Sequence, residues 1–252
     1  IGPAEAVFEA TERLIEMALD CIDMRKHTGV HPRMGAVDVC PFVLLDDEKF
    51  QAAFLKAVDQ FIEHMGTKGL PIYAYEHSAR KPSRRNLAHV RKGEYEQLPS
   101  RFAQGDIPDV GPKIWKDAAA KSGATAMGAR PLMVAFNVNL SGGSKNELLV
   151  AAKQIARAIR ERDGGLPGVK SIGWYIPDLD VVQVSCNLTK PFETGVCEVF
   201  QTVQKQAMTL GYLAPDSELI GCIPERQFEI CTPSTLGLGR FKPMTPDRIL
   251  PY

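Results

Sequence analysis

The sequence predicts an α+β fold, and three observations carry that prediction. The chain has 252 residues, 44% apolar and 24% charged, which is enough material for one large or two ordinary packed domains. Its second half alternates segments of period 2 with segments of helical period, in the order strand, helix, strand, strand, helix, strand. Its first half carries a shorter order of the same kind: helix, strand, helix, strand.

The opening helix is expected over about 4–22, where Val7, Ala10, Leu14 and Ala18 recur at helical spacing. A polar loop leads to a strand near 37–44, then a second helix over 48–65 and a strand at 71–75. Residues 78–98 form a basic segment running into a helix, and 105–123 a loop containing Gly, Pro and Ala. A domain boundary is expected near 126–129, dividing the chain into 1–127 and 128–252.

In the second half, residues 131–140 alternate strictly. Leu132, Val134, Phe136, Val138 and Leu140 share one face, and Met133, Ala135, Asn137 and Asn139 the other. Ser144 and Glu147 have capping-box spacing, Leu148, Ala152, Ile155 and Ile159 follow on one helical face, and Gly164-Gly165 stops the helix. Strands are expected at 169–175 and 181–189, a helix over about 192–210 and a last strand at 218–223. This order is the split βαβ, ferredoxin-like arrangement: an antiparallel sheet with two helices on one face. The other face would carry Asn137, Asn139, Gln183 and Ser185, and is either solvated or the lining of a cleft.

Charge and composition exclude several functions. Lys and Arg number 30 and Asp and Glu also 30, so no basic surplus points to a nucleic-acid or membrane-surface partner. No apolar run approaches the 18–20 or so residues of a membrane span. Glu5, Glu9, Glu12 and Glu16 exclude a signal peptide's apolar stretch, and the chain begins at Ile1, as expected of a trimmed or cleaved protein. None of the six cysteines forms a C-x-x-C pair, so reduced structural thiols in a cytoplasmic protein are expected.

Three segments carry chemistry. In His27-Thr-Gly-Val-His31-Pro-Arg-Met-Gly35, Pro32 holds His31 extended, and an imidazole beside the Arg33 guanidinium suits proton transfer next to an anion. A His27–His31 metal pair is not supported, since no helix presents both and no further Cys/His cluster completes a site; no metal is expected. The second segment gathers Arg80, Lys81, Arg84, Arg85, Arg91 and Lys92, a cation cluster suited to carboxylates or phosphates, or simply a solvated helix face. The third runs from Gly111-Pro112-Lys through Gly123-Ala-Thr-Ala-Met-Gly128-Ala-Arg130. It is neither a Walker A loop nor a dinucleotide fingerprint.

His31-Pro-Arg-Met-Gly-Ala-Val-Asp-Val-Cys-Pro-Phe42, Ala79-Arg80 with Ser83-Arg84-Arg85, Arg91-Lys-Gly-Glu-Tyr-Glu96 and Gly123–Arg130 leading into Val134-Ala-Phe-Asn-Val-Asn-Leu140 together resemble one family. It is the formiminotransferase domain family, the domain of glutamate formiminotransferase and the first module of formiminotransferase-cyclodeaminase. Ile172-Gly-Trp-Tyr175 and Val184-Ser-Cys-Asn-Leu188 extend the match over most of the chain. The resemblance implies two ferredoxin-like subdomains with antiparallel sheets, a folate tunnel between them and a homodimer. The family's amino-terminal strand–helix–strand–strand stretch, with its Asn-Phe-Ser-Glu-Gly motif, is not matched, so the first subdomain is expected to lack those elements.

The implied reaction moves a formimino group from N-formimino-L-glutamate to N5 of tetrahydrofolate. His31 matches the catalytic histidine, and the stretch 111–123, with Gly111, Pro112 and Gly123, matches the folate loop. Substrate and folate both carry carboxylates, so Arg33, Arg84, Arg85 and Arg130 are expected to supply positive potential, which would also suit a polyglutamylated folate. Asn137, Asn139 and Ser185 are candidates for orienting pterin or glutamate, or else for a core or subdomain-interface role. An N-formylglutamate-using formyltransferase and a non-catalytic folate- or anion-binding paralogue remain open alternatives.

Overall fold

A computed structural model describes residues 1–29, 31–45 and 48–251. The chain divides into two compact units, 1–131 and 132–252.

The first unit begins with helix α1 (Ala4–Cys21) and continues through β1 (Val39–Phe42), α2 (Gln51–Thr67) and β2 (Ile72–Ala74). A long segment with short helices α3 (Leu87–Val90), α4 (Leu98–Ala103) and α5 (Asp117–Ser122) then leads to β3 (Thr125–Ala129). The strands form one sheet in the order β1-β3-β2, and both pairings are parallel. This corrects the expectation of an antiparallel sheet here. Each connection returns to the starting edge through helix or long loop, which is what parallel pairing requires.

Strand β3 runs through the stretch near which a domain boundary was expected, 126–129. Gly128 and Ala129 pair with Pro41 and Phe42, so the division falls after Pro131. Thr125-Ala-Met-Gly-Ala has no apolar/polar alternation because all five residues are buried, as in a central parallel strand. One face of this sheet packs Cys40, Phe42, Ile72, Ala74 and Met127 against Ile15 of α1 and Val58, Phe61 and Ile62 of α2. The Phe8, Phe42 and Phe61 rings are clustered there, with centroids 4.9–5.4 Å apart. The other face packs Tyr73, Tyr75 and Ala126 against Met34, Val90, Leu98 and Phe102.

The second unit follows the expected order: β4 (Val134–Leu140), α6 (Lys145–Ile159), β5 (Val169–Ile176), β6 (Val181–Leu188), α7 (Val196–Thr209) and β7 (Ser217–Ile220). Its sheet order is β5-β6-β4-β7 and every pairing is antiparallel, the ferredoxin-like topology. The capping box forms: Ser144 Oγ accepts from Glu147 N–H, and the Glu147 carboxylate accepts from Ser144 N–H at 2.9 Å. Val134, Phe136, Val138, Val182, Val184 and Leu219 pack under Leu148, Ile155, Val199 and Phe200 of the two helices. Full burial of a side chain such as Phe136 is worth about 1.5–3 kcal/mol. The last expected strand is shorter, ending at Ile220; Gly221 (φ +79°) turns the chain into β8 (Ile223–Pro224), which pairs with β9 (Ile249–Leu250).

The cysteines depart from expectation at one pair. Cys197 on α7 and Cys231, both buried, form a disulfide with Cα atoms 5.6 Å apart. Helix α7 directs Cys197 at the segment after Phe228, and a separation of 34 residues gives no sequence signal. Cys21, Cys40, Cys186 and Cys222 are free thiols. Among the described residues no helix is long and apolar enough to cross a membrane.

Candidate functional site

The loop before β1 is fixed from three sides. Pro32 keeps His31 extended, and the His31 imidazole is exposed, its Nδ1 2.8 Å from the Pro32 carbonyl oxygen. Donation of Nδ1–H to that carbonyl selects the tautomer with its lone pair on Nε2, the form a proton acceptor needs. Asp38 closes the loop: its Oδ1 accepts from Met34 N–H at 2.9 Å, and its Oδ2 accepts from Arg91 Nη2 at 2.6 Å. The same Arg91 nitrogen donates to the Pro32 carbonyl and stands 3.5 Å from His31 Nδ1.

The segment 91–96 therefore forms the loop's wall. Glu94 Oε2 accepts from Arg33 N–H at 3.2 Å, and Tyr95 N–H donates to the Arg33 carbonyl at 3.0 Å. The start of β3 forms the floor: Gly35 bridges Gly123, and Ala124 N–H donates to Met34 O at 2.9 Å. Gly123 sits at φ +66°, and a side chain there would collide with the Met34 carbonyl. Asp38 (φ +57°) and Glu94 (φ +56°) are also left-handed without being glycine, at a cost of about 1–3 kcal/mol each. Both spend that strain on holding the His31 loop. The three sequence segments thus meet at the His31 loop.

The predicted arginines divide sharply. Arg84 is 4% exposed, and its guanidinium binds Asp106 (2.9 Å), Asp109 and the Ile107 carbonyl (2.8 Å) while stacking on Tyr73. Arg33 is held by Glu96 (2.6 Å), Glu94 (3.4 Å) and the His27 carbonyl (3.1 Å). Neither offers an uncommitted guanidinium to a carboxylate ligand, which corrects the expectation for both: they brace the loops. Arg85 is exposed on the surface.

Arg130 follows β3 directly and lines a cleft of about 360 Å³ with His77, Gln51, Leu44, Phe54 and Pro131. The adjoining Tyr75 hydroxyl is buried, which pushes its pKa up to about 12 even with the Arg130 cation nearby. This cleft lies at the carboxyl-terminal edge of the parallel sheet, while the His31 loop lies at the amino-terminal edge. Gly111, at φ +82°, brings the backbone against Leu70 and leaves no room for a side chain; Pro112 beside it is half-buried.

Asn137 and Asn139 lie in the second unit, on the sheet face away from the helices, with Gln183 and Glu218. Gln183 Nε2 donates to Asn139 Oδ1 (2.8 Å) and Glu218 Oε2 (3.0 Å), and Trp174 Nε1–H donates to Gln183 Oε1 (3.1 Å). Ser185 is half-buried beside Asn137 in the register. Among the described residues no group of three or more His, Cys, Asp or Glu side chains is placed to hold a metal ion.

Asp38, Arg91 and Glu94 are the residues that reasoning from the sequence passed over as parts of the His31 site. The first lies within the His31 segment and the others within Arg91–Glu96, so both motifs contained the signal.

Comparison with known proteins agrees over nearly the whole chain. The formiminotransferase domain, N-terminal subdomain, matches residues 1–130, and the formiminotransferase domain matches residues 135–232. A glutamate formimidoyltransferase from Streptococcus pyogenes serotype M1 is 38% identical over 228 residues, covering 90% of this chain and 74% of the relative. One from Thermoplasma acidophilum is 38% identical over 215 residues, covering 84% and 68%. A formimidoyltransferase-cyclodeaminase from Rattus norvegicus is 35% identical over 232 residues, covering 89% of this chain and 41% of that longer protein. The chain belongs to the formiminotransferase domain family.

Proposed function

We propose that this chain transfers a formimino group from N-formimino-L-glutamate to N5 of tetrahydrofolate, giving glutamate and 5-formiminotetrahydrofolate. The observation that carries this reading is His31, presented by a loop in which three family-matched segments converge and with its Nδ1 tied to the Pro32 carbonyl.

His31 Nε2 accepts the proton that leaves N5 as the new C–N bond forms at the formimidoyl carbon. It returns that proton to the glutamate nitrogen as the old C–N bond breaks. Arg91 and Asp38 hold the imidazole for both transfers by fixing the Pro32 carbonyl and the loop's return. Folate is a co-substrate whose tail carboxylates need a cation, and the cleft holding Arg130 and His77 fits that chemistry. Arg85 adds exposed positive charge, while Arg33 and Arg84 act through the architecture. Gly111, Pro112 and Gly123 shape the backbone beside these sites, and the assembly is a homodimer.

A spectroscopic transfer assay with tetrahydrofolate and each of N-formimino- and N-formyl-L-glutamate tests the reading. Folate-dependent release of glutamate from the formimino donor supports it, and no turnover of that donor by the folded protein refutes it. Light scattering of the same sample tests the dimer.

A further inference from the structure

In the second unit the chain beyond β8 returns across β7, the strand at one edge of the antiparallel sheet. Residues 229–245 belong to no helix or strand, yet they are fastened to that edge. Ser217 Oγ donates to the Leu236 carbonyl at 2.6 Å, and Lys242 meets the Glu218 carboxylate. Just beyond, Arg248 Nη1 donates to the Leu219 carbonyl at 3.4 Å. Leu236 and Leu238 are buried in the unit's core. A sheet edge presents unpaired backbone groups, and this strap lies where such an edge needs cover. The start of the strap is tied to α7 by the Cys197–Cys231 disulfide.

The surroundings of that disulfide suit exchange. Cys197 is the second residue of α7, within its first turn. One turn further on, Gln201 Nε2 donates to both sulfurs, at 3.4 Å to Cys197 and 3.8 Å to Cys231. A helix N-terminus and an amide donor both favour a sulfur that carries negative charge, the state through which thiol–disulfide exchange passes. A bond that only stapled the fold would need neither. Access is short as well. The Cys231 side chain is buried, but Ile230 and Thr232 on either side of it are exposed, so an outward swing of this irregular segment alone presents its sulfur.

We propose that Cys197 and Cys231 form a reversible redox modification site, whose oxidant is a low-molecular-weight disulfide such as glutathione disulfide and whose bond latches the strap over β7. The Cys231 thiolate attacks one sulfur of the reagent, and the other half of the reagent leaves as a thiolate. The Cys197 thiolate then attacks the Cys231 sulfur of the mixed disulfide, and the second half leaves. Two protein thiols are oxidised, one reagent disulfide is reduced to two thiols, and the two cysteine protons end on those thiols. Two free thiols of the same class run the sequence backwards. A link across 34 residues favours the folded state by roughly 10²–10³-fold, so the latch has a measurable grip.

The test equilibrates the protein at graded ratios of glutathione to glutathione disulfide. Alkylation with peptide mass mapping reads the link, and hydrogen exchange reads the strap. The 197–231 link should form and vanish reversibly with the ratio while the protein stays folded. In the reduced form, the amides of Leu236 and Leu238, which bond the Thr232 and Pro233 carbonyls, should exchange about 10-fold faster or more. Cys231→Ser should exchange at the fast rate at every ratio. Cys222→Ser, which removes the free thiol beside β8, should titrate as wild type. A link that never forms overturns the proposal, as does one that excess glutathione leaves intact in the folded protein. Equal strap exchange in the two forms of wild type overturns the latch without recourse to any variant. Loss of the response in Cys222→Ser overturns the pairing.

Discussion

The two units place buried charge in opposite ways. In the first, Arg33, Arg84, Arg91 and Arg101 each meet carboxylates, and the pairs tie long loops to the edges of a small parallel sheet. In the second, Glu218 sits among neutral amides, with a lysine reaching it from an irregular segment. The difference follows from topology. Three parallel strands of three to five residues leave most of the first unit in crossovers and loops, which need staples. Three strands of the antiparallel sheet have seven or eight residues, with a short β5–β6 connection, so its ladder does more of the holding.

If the first unit's charges serve mainly to position one imidazole, removing that imidazole should have the largest effect of all. His31→Ala should lower the single-turnover transfer rate by about 10²–10⁴-fold and leave the melting midpoint unchanged, because the side chain is exposed. A small rate loss would mean that the braces serve something else. Next is the brace itself. Arg84→Met should cost about 3–5 kcal/mol in denaturant unfolding, since it leaves Asp109 buried without its cation.

Asp38→Asn should cost less, about 1–3 kcal/mol, by weakening the charge-assisted bond to Arg91. Its kcat should fall more than its KM changes, as expected of a group that positions the base without touching substrate.

The units should respond alike to alkali, which offers a sharper control. Burial pushes both the Cys40 thiol of the first unit and the Cys186 thiol of the second up to about 12. An unfolded thiol ionises near 8.5, so the unfolded chain loses these protons first. Stability should be unaffected below that pH and fall as pH rises from about 9 towards 12, measured as the midpoint of urea unfolding. Cys40→Ala and Cys186→Ala should each flatten that slope. Arg85→Ala should do least, within about 0.5 kcal/mol, because the residue is exposed.

Legibility in the sequence tracked the same contrast. The second unit could be read almost element by element, because strands with one apolar face alternate and helices with one apolar face repeat. Thr125–Ala129 could not, because a strand buried on both sides has no alternation to display. The His31 loop was legible as a motif. The commitment of Arg33 and Arg84 was not, because their partners lie 61 and 63 residues away for Arg33 and 22 and 25 for Arg84. Spacing along a chain does not say which carboxylate a guanidinium will meet. The hydrogen bonds of Glu218 were hidden for a related reason: only the strand register brings Gln183 and Asn137 beside it.

The parallel sheet of the first unit also acts as a ruler. Its strands all run from the His31 edge to the Arg130 edge, and five residues of β3 at about 3.3 Å each set those edges roughly 15 Å apart. A single molecule that engages both must be long and extended. A compact metabolite could occupy either edge but never both. Under the proposed roles of His31 and Arg130, the length of one short buried strand therefore suits the shape of a pterin carrying a glutamate tail, before any side chain has read its chemistry.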